Sequence, residues 1–304
     1  MTETAPNSAN WPQVWLTSTV RSVSDEIPRF IRFHRAMGFA RQVLFFDDPA
    51  DPWLDFARSQ ADVTAIACNA AHWALTGGRP DIIDERQRAN ATAALAMARA
   101  SGGDWLAHFD SDELLLTDGR SIGTILASFP HDLARFPLRE AIPPEGIAPH
   151  AFAAAWFRVN VPLDEMHRVP AELQIGGRWL RGHIASKVAV RTASVAQSMG
   201  VHSVDTPEMP AAPLAGTKLL HFNCITLERW IALWTRRLDG TGTTHYGGGH
   251  RWIQGHEAWE VLGDPQAEQA AYDRIHRLSP ATLERLAAQG LVEQIDIDPA
   301  LLGI

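Results

Sequence analysis

The chain has 304 residues, 46% hydrophobic and 20% charged, which is enough apolar material for one large α/β domain with appendages. Its 27 Lys and Arg against 35 Asp and Glu leave a net charge of −8, which argues against nucleic-acid binding through a global basic field. Cys68 and Cys224 are too few and too far apart for a disulfide scaffold or a zinc site, so a reducing, cytoplasmic setting is expected. No apolar run approaches the length of about 18 residues needed for a membrane span, while peripheral membrane contact stays open.

Residues 1–10 are polar and acidic, lack the order of a signal peptide and read as a flexible tail. Val14 to Val20, rich in β-branched residues, predicts a first strand. After Asp25-Glu26, the recurrence of Ile27, Phe30, Ile31, His34 and Met37 predicts a helix that stops at Gly38. Arg41 to Phe46 predicts a second strand running into Asp47-Asp48-Pro49, and Val63 to Ala67 a third. Strong helix formers fill 84–100, and Gly102-Gly103 ends that helix. Trp105 to Phe109 then reads as a buried strand discharging into Asp110-Ser111-Asp112-Glu113 before an apolar run resumes at Leu114. Carboxylates two apart on extended backbone would project to one side. Held that close they repel unless a cation or shared proton intervenes, and hard oxygen donors suit Mn²⁺ or Mg²⁺. A solvated turn or a helix N-cap is the alternative for such a run. Alternation of strands and helices predicts a largely parallel sheet with acids at the carboxyl edge, where ligands of open α/β sheets bind.

Three landmarks in register give the N-terminal half its resemblance to glycosyltransferases of the GT-A fold, family 2 and the related family 92. They are Ser24-Asp25-Glu26 before a helix ending Ala36-Met37-Gly38, the Phe46-Asp47-Asp48 turn, and the Asp-x-Asp-Glu after a Trp-led strand. The match covers about 1–120, with a looser match across 183–222. It implies a Rossmann-like α/β fold with a mixed, mostly parallel sheet over 11–225, followed by a C-terminal helical extension over 226–304. The family usually has Lys-Asn where this chain has Ser24-Asp25, and no clear Glu-Asp general-base pair follows.

The resemblance implies a nucleoside diphosphate sugar donor, a UDP-sugar first, and a glycan or other hydroxyl acceptor. Asp47 or Asp48 would meet the base, Thr17 would join the nucleotide contacts, and Asp110 would hold ribose or reach the metal through water. Asp112 would ligate Mn²⁺ or Mg²⁺, with Glu113 standing behind it or facing the acceptor. Arg86 and Asn90, four apart on one helix face, lie where the family often places a nucleotide-binding arginine. Lys187 and Arg191, at the ends of an alternating strand, are diphosphate candidates; His202 and, after it, His221 are candidate metal ligands. Inverting chemistry needs a base within reach of the acceptor hydroxyl, for which Asp164, Glu165, Asp205 and Glu208 all qualify.

The 118–182 stretch, with strand-like residues from Phe152 to Val159 and a Gly176-Gly177 turn, predicts the acceptor-side layer of the same domain. Leu227 to Leu238 and the segments 266–278 and 280–289 predict amphipathic helices, and the Gly-rich 240–249 loop lacks P-loop spacing. A sugar-nucleotide or glycan binder without catalysis, or a nucleotidyltransferase, are the competing classes.

Overall fold

In the computed structural model, which describes residues 11–182, 184–206, 208–238 and 250–304, the first half alternates strand and helix. Its elements are β1 (Val14–Val20), α1 (Glu26–Ala36), β2 (Arg41–Phe46), α2 (Leu54–Arg58), β3 (Val63–Ala67), α3 (Ala70–Ala74), α4 (Ile83–Ala100) and β4 (Trp105–His108). There follow β5 (Glu113–Thr117), α5 (Ile122–Ala127), β6 (Leu133–Arg135), β7 (Leu138–Ile142), β8 (Trp156–Val159), β9 (Val188–Arg191), β10 (Ala212–Pro213) and β11 (Thr217–His221). The last part holds α6 (Leu227–Leu238), α7 (His250–Val261), α8 (Pro265–His276), α9 (Pro280–Ala288), β12 (Val292–Gln294) and α10 (Pro299–Leu302). The predicted N-terminal tail and Gly-rich loop lie outside the described residues.

The fold is α/β, with two mixed sheets flanked by helices. One sheet has the order β10-β6-β9-β4-β1-β2-β3, with β3, β2, β1 and β4 mutually parallel and β9 antiparallel to both β4 and β6. Alternate residues of its strands feed different cores. Leu16, Leu44 and Phe46 pack with Ile27, Phe30 and Phe33 of α1, while Trp15, Val43 and Phe45 pack with Ala91, Ala94 and Leu95 of α4. Burial on both faces leaves all seven residues of β1 buried, the hydroxyl-bearing Thr17, Ser18 and Thr19 included.

The second sheet, β12-β8-β7-β11-β5, is a departure from the single sheet expected. Its cause is local. The acidic residues form a turn between β4 and β5, and past that turn the chain leaves the first sheet to pair antiparallel with β11. The 118–182 stretch supplies β6 to the first sheet and β7 and β8 to the second. The Gly176-Gly177 turn is present, with φ of +56° and +70° closing the Ile175–Arg178 bridge, a conformation that glycine adopts without penalty. The C-terminal extension is not purely helical: β12 pairs with β8. Its helices α6, α7 and α8 enclose a small core of their own around Trp230, Trp234, Ala258, Ala271, Tyr272 and Ile275.

Candidate active site

Strand order reverses between β1 and β4, the kind of switch point that leaves a crevice beyond the strand ends. A cavity of about 310 Å³ occupies it, reached by Arg21 after β1, Asp47 after β2 and Asp110 and Asp112 after β4. The opposite wall comes from α6 and its neighbours, including Arg229, Trp230 and Trp234. Six arginines and four aspartates line it, a local positive balance in an acidic protein. A second cavity shares Arg21 and Asp47 with the first and continues past Asp48, Cys68, Asn69 and Trp73.

The acids do not project from extended backbone. Residues 109–112 turn, the Asp110 carbonyl accepts from the Glu113 amide at 3.0 Å, and Glu113 Oε2 accepts in return from the Asp110 amide at 2.7 Å. Lys187, fully buried, donates from Nζ to Asp110 Oδ2 at 2.8 Å and lies 3.9 Å from Glu113 Oε2. Gln87 donates to Asp110 Oδ1 at 2.7 Å. Burial opposes the Lys187 charge, but the Asp110 and Glu113 carboxylates outweigh it and raise its pKa. Burial pushes the Glu113 carboxyl up to about 8, against the pull of Lys187.

Asp112 faces the cavity with Arg229 Nη2 at 3.1 Å and His221 Nε2 at 3.8 Å. Arg229 also lies 3.7 Å from the buried Glu26, whose carboxylate accepts from the amides of Val23 and Ser24 at 2.7 Å each. One guanidinium therefore ties the first loop, the acidic turn and α6 together. His221 owes its place to strand register. Glu113 of β5, His221 of β11, Glu140 of β7 and Arg158 of β8 form one row across the second sheet, every member buried. Glu140 Oε1 lies 3.9 Å from His221 Nδ1, and Glu140 Oε2 accepts from the Arg181 amide at 2.5 Å. Gly182 leaves room for this packing, since a Cβ there would meet His221 Cε1 at 2.3 Å.

Asp47, Arg86, Asp110, Asp112, His202 and His221 are thus gathered at one cavity. Asp47 receives Arg79 at 3.0 Å and Arg86 at 3.5 Å. Asp48 lines the adjoining cavity and its Oδ1 accepts from the Ala50 amide at 2.9 Å. Other expected contacts are corrected. Thr17 is buried within the sheet and spends its hydroxyl on the Val43 carbonyl at 3.0 Å. Asn90 sits one layer back, donating to Thr19 Oγ1 at 3.0 Å and pairing with His72 at 2.9 Å. Lys187 is sealed behind Asp110, and Glu113 is sealed behind the turn it braces, so neither is exposed to a substrate. Arg191 points elsewhere, 2.8 Å from Asp132 and stacked 4.5 Å from the Trp105 ring. Glu165 pairs with Arg168 at 2.6 Å on a surface 3₁₀ turn, and Asp205 accepts from the Gln197 amide at 3.0 Å in an exposed loop. Neither is placed to act as a base at this cavity.

No family model matches the chain, and no curated protein matches it. Among solved structures, that of HddC from Yersinia pseudotuberculosis aligns at TM-score 0.34 and 12% identity, covering 69% of this chain and 90% of HddC. A likeness that shallow carries no argument.

Gln87, Arg181 and Arg229 are the principal residues sequence reading missed. Gln87 and Arg229 each carried a faint signal: Gln87 lies beside Arg86 on the helix before the acidic strand, and Arg229 adjoins the Trp230 and Trp234 stripe of an amphipathic helix. For Arg181 the sequence offers none.

Proposed function

We propose that the protein is a glycosyltransferase that binds a nucleoside diphosphate sugar in this cavity. The observation that carries the reading is the joining of Asp112, His221 and an arginine-rich wall at the carboxyl ends of β1, β2 and β4. The adjoining cavity, lined by Asp47, Cys68, Asn69 and Trp73, suits the nucleoside, while the arginines suit the diphosphate.

The resemblance that suggests this function also implies Mn²⁺ or Mg²⁺. Among the described residues no group of three or more His, Cys, Asp or Glu side chains is arranged to hold a metal ion. A carboxylate oxygen and an imidazole nitrogen do face each other at Asp112 and His221, a donor pair Mn²⁺ accepts. An ion of this class commonly takes one or two protein ligands and fills the rest of its shell with phosphate oxygens and water. The residues fit on those terms, with Asp112 and His221 as ligands. Asp110 is already held by Lys187 and Gln87, and His202 stands by on the cavity wall. The ion would stabilise the charge that gathers on the departing diphosphate. Arg229, beside Asp112, serves the same charge without a metal, and Arg21 and Arg86 approach from the strand side. Trp230 and Trp234 close the cavity from α6 and exclude water from the sugar.

Asp112→Asn is expected to abolish Mn²⁺-dependent UDP or GDP binding in calorimetry while the variant stays folded, its thermal midpoint lowered only by the weakened pair with Arg229. Retention of the full manganese-dependent affinity would remove the reading's main support. A sugar-nucleotide binder without catalysis is favoured by one observation, the absence of Glu165 and Asp205 from the cavity. It predicts nucleotide binding with no release of sugar to water or to any acceptor.

A further inference from the structure

We propose that the cavity wall formed by Arg181, Gln254 and His276 is a subsite for an anionic group, a carboxylate or phosphate ester, carried by one of the two reactants. The proposal rests on the glycosyltransferase reading and adds a substrate class to it. The three side chains come from separate segments: the stretch before β9, then α7, then α8. All line the cavity, and they are 6%, 5% and 3% exposed.

Each carries nitrogen that nothing among the described residues satisfies. Nε and Nη1 of Arg181, Nε2 of Gln254 and Nε2 of His276 have no hydrogen-bond partner among the described residues. Among the described residues Arg181 donates from its backbone amide to Glu140 and from Nη2 to the Leu173 carbonyl. Burying a donor without a partner costs stability, and burying a guanidinium that way costs more. Buried polar groups are normally paired, so four orphaned nitrogens on one wall mark a place shaped for something else.

Charge identifies the occupant. Burial and the neighbouring Arg158 push the Arg181 pKa down to about 9, although Glu140 and Glu257 pull the other way, so the guanidinium still carries its proton at neutral pH. No carboxylate reaches within 4 Å of it among the described residues, and Arg236 and Arg237 of α6 line the same cavity. Burial, with Arg158 and Arg181 nearby, holds His276 well below the usual imidazole range, so it is neutral and can present an N–H without adding charge. A neutral hydroxyl would satisfy Gln254 or His276 but would leave Nε and Nη1 of Arg181 without an acceptor of opposite charge, since Glu140 and Glu257 act on that charge only through space. An oxyanion brings both the acceptor atoms and the opposite charge that this wall lacks. The wall shares the cavity with the Asp112–His221 pair proposed for the ion and diphosphate but is made of other side chains, and the proposal assigns it to an anionic group elsewhere on the reactants.

The experiment is calorimetry on the full chain with Mn²⁺, using two matched probe pairs. UDP-glucuronate against UDP-glucose asks whether the donor sugar carries the anion; glucose 6-phosphate against glucose, at saturating UDP, asks whether the acceptor does. One pair is expected to favour its charged member by about tenfold or more, the worth of charge-assisted hydrogen bonds. Arg181→Gln and Gln254→Leu, each checked by thermal melting, are expected to shrink that preference to about threefold or less. The proposal is overturned if neither pair discriminates. It is overturned too if the Arg181 variant weakens UDP-glucose and UDP-glucuronate by the same factor, which would assign the arginine to the diphosphate. Should UDP fail to bind at all, the transferase reading falls, and glucose 6-phosphate against glucose on the nucleotide-free protein still decides the subsite through its loss in Arg181→Gln.

Discussion

The two walls of the cavity are built in opposite ways. On the sheet side, Asp47, Asp110 and Asp112 emerge from the ends of buried strands, and their charges are met by Arg79, Arg86, Lys187, Gln87 and Arg229. On the helical side, Arg181, Gln254 and His276 converge from distant segments and keep unspent donors. The acidic wall is therefore already compensated in the free protein, and the basic wall is poised for something not yet there. Residues of the first kind contribute to stability as well as to binding. Those of the second kind are expected to matter chiefly for binding, because stability is commonly given up where function needs unsatisfied groups.

The strongest test of that contrast is Lys187. Its ammonium is fully buried against Asp110 and Glu113, and Lys187→Met strips the buried Glu113 and the half-buried Asp110 of their cation. Removing one partner of a buried ion pair typically costs about 3–5 kcal/mol, because an uncompensated charge stays behind. Urea unfolding of the variant should show a loss of that order. A loss indistinguishable from that of a surface substitution would mean the acidic wall is not held by its lysine, and the contrast between the walls would fail.

A second test acts through pH. His34 of α1 is fully buried behind the acidic turn; its Nδ1–H donates to the Phe30 carbonyl at 3.0 Å and its Nε2 accepts from the Leu115 amide of β5 at 3.2 Å. Burial lowers its pKa from 6.5 to about 3, with only the Phe30 carbonyl opposing. Between those values the unfolded chain binds a proton that the native ring refuses, so stability rises with pH across the window and is lost as pH falls from about 6.5 toward 3. The slope from this one group is at most about 1.4 kcal/mol per pH unit. Chemical denaturation at stepped pH should show a shallower acid loss in His34→Gln than in wild type, after allowance for the variant's lower stability near pH 7. Equal slopes would show that this histidine titrates freely in the native state.

How legible these features were follows from the same contrast. The strands Val14–Val20, Arg41–Phe46 and Val63–Ala67 were readable because each is a short run of apolar and β-branched residues, the first two of them buried almost throughout. Asp47, Asp110 and Asp112 were readable because a strand end places its next residues at the sheet edge wherever the rest of the chain goes. The pairing of Asp112 with His221 depends on β5 and β11 lying in register, a contact across more than a hundred residues that neither strand specifies alone. The sequence alone ranks His202 ahead of His221, whereas the register sets His221 facing Asp112. Glu113 misled for a related reason. In sequence it completes an acidic run, but the turn at 109–112 folds it back as a brace for the Asp110 amide. The basic wall left almost no trace, because an amphipathic pattern says that one helix face is buried and not which residues meet across the gap.

The smallest expected effect sharpens the boundary of the acidic wall. Arg191 ends β9 and was expected at the diphosphate, yet its guanidinium lies 2.8 Å from Asp132, donates to the Phe129 carbonyl at 3.2 Å and stacks on the Trp105 ring. With side-chain exposures of 34% and 50%, the Arg191–Asp132 pair is screened by solvent, and such pairs contribute about 0–1 kcal/mol. The ring contact adds a comparable amount, about 0.5–1 kcal/mol, at a partly exposed site. Arg191→Ala should therefore lower stability by about 1–2 kcal/mol in urea unfolding and leave manganese-dependent nucleotide affinity where it was. Because Lys187 and Arg191 flank the same short strand, the two variants divide its ends: one supports the turn that presents Asp112, the other holds the far side of Trp105. A clear drop in nucleotide affinity on losing Arg191 would extend the cavity's influence along β9 and redraw the wall that the strand ends define.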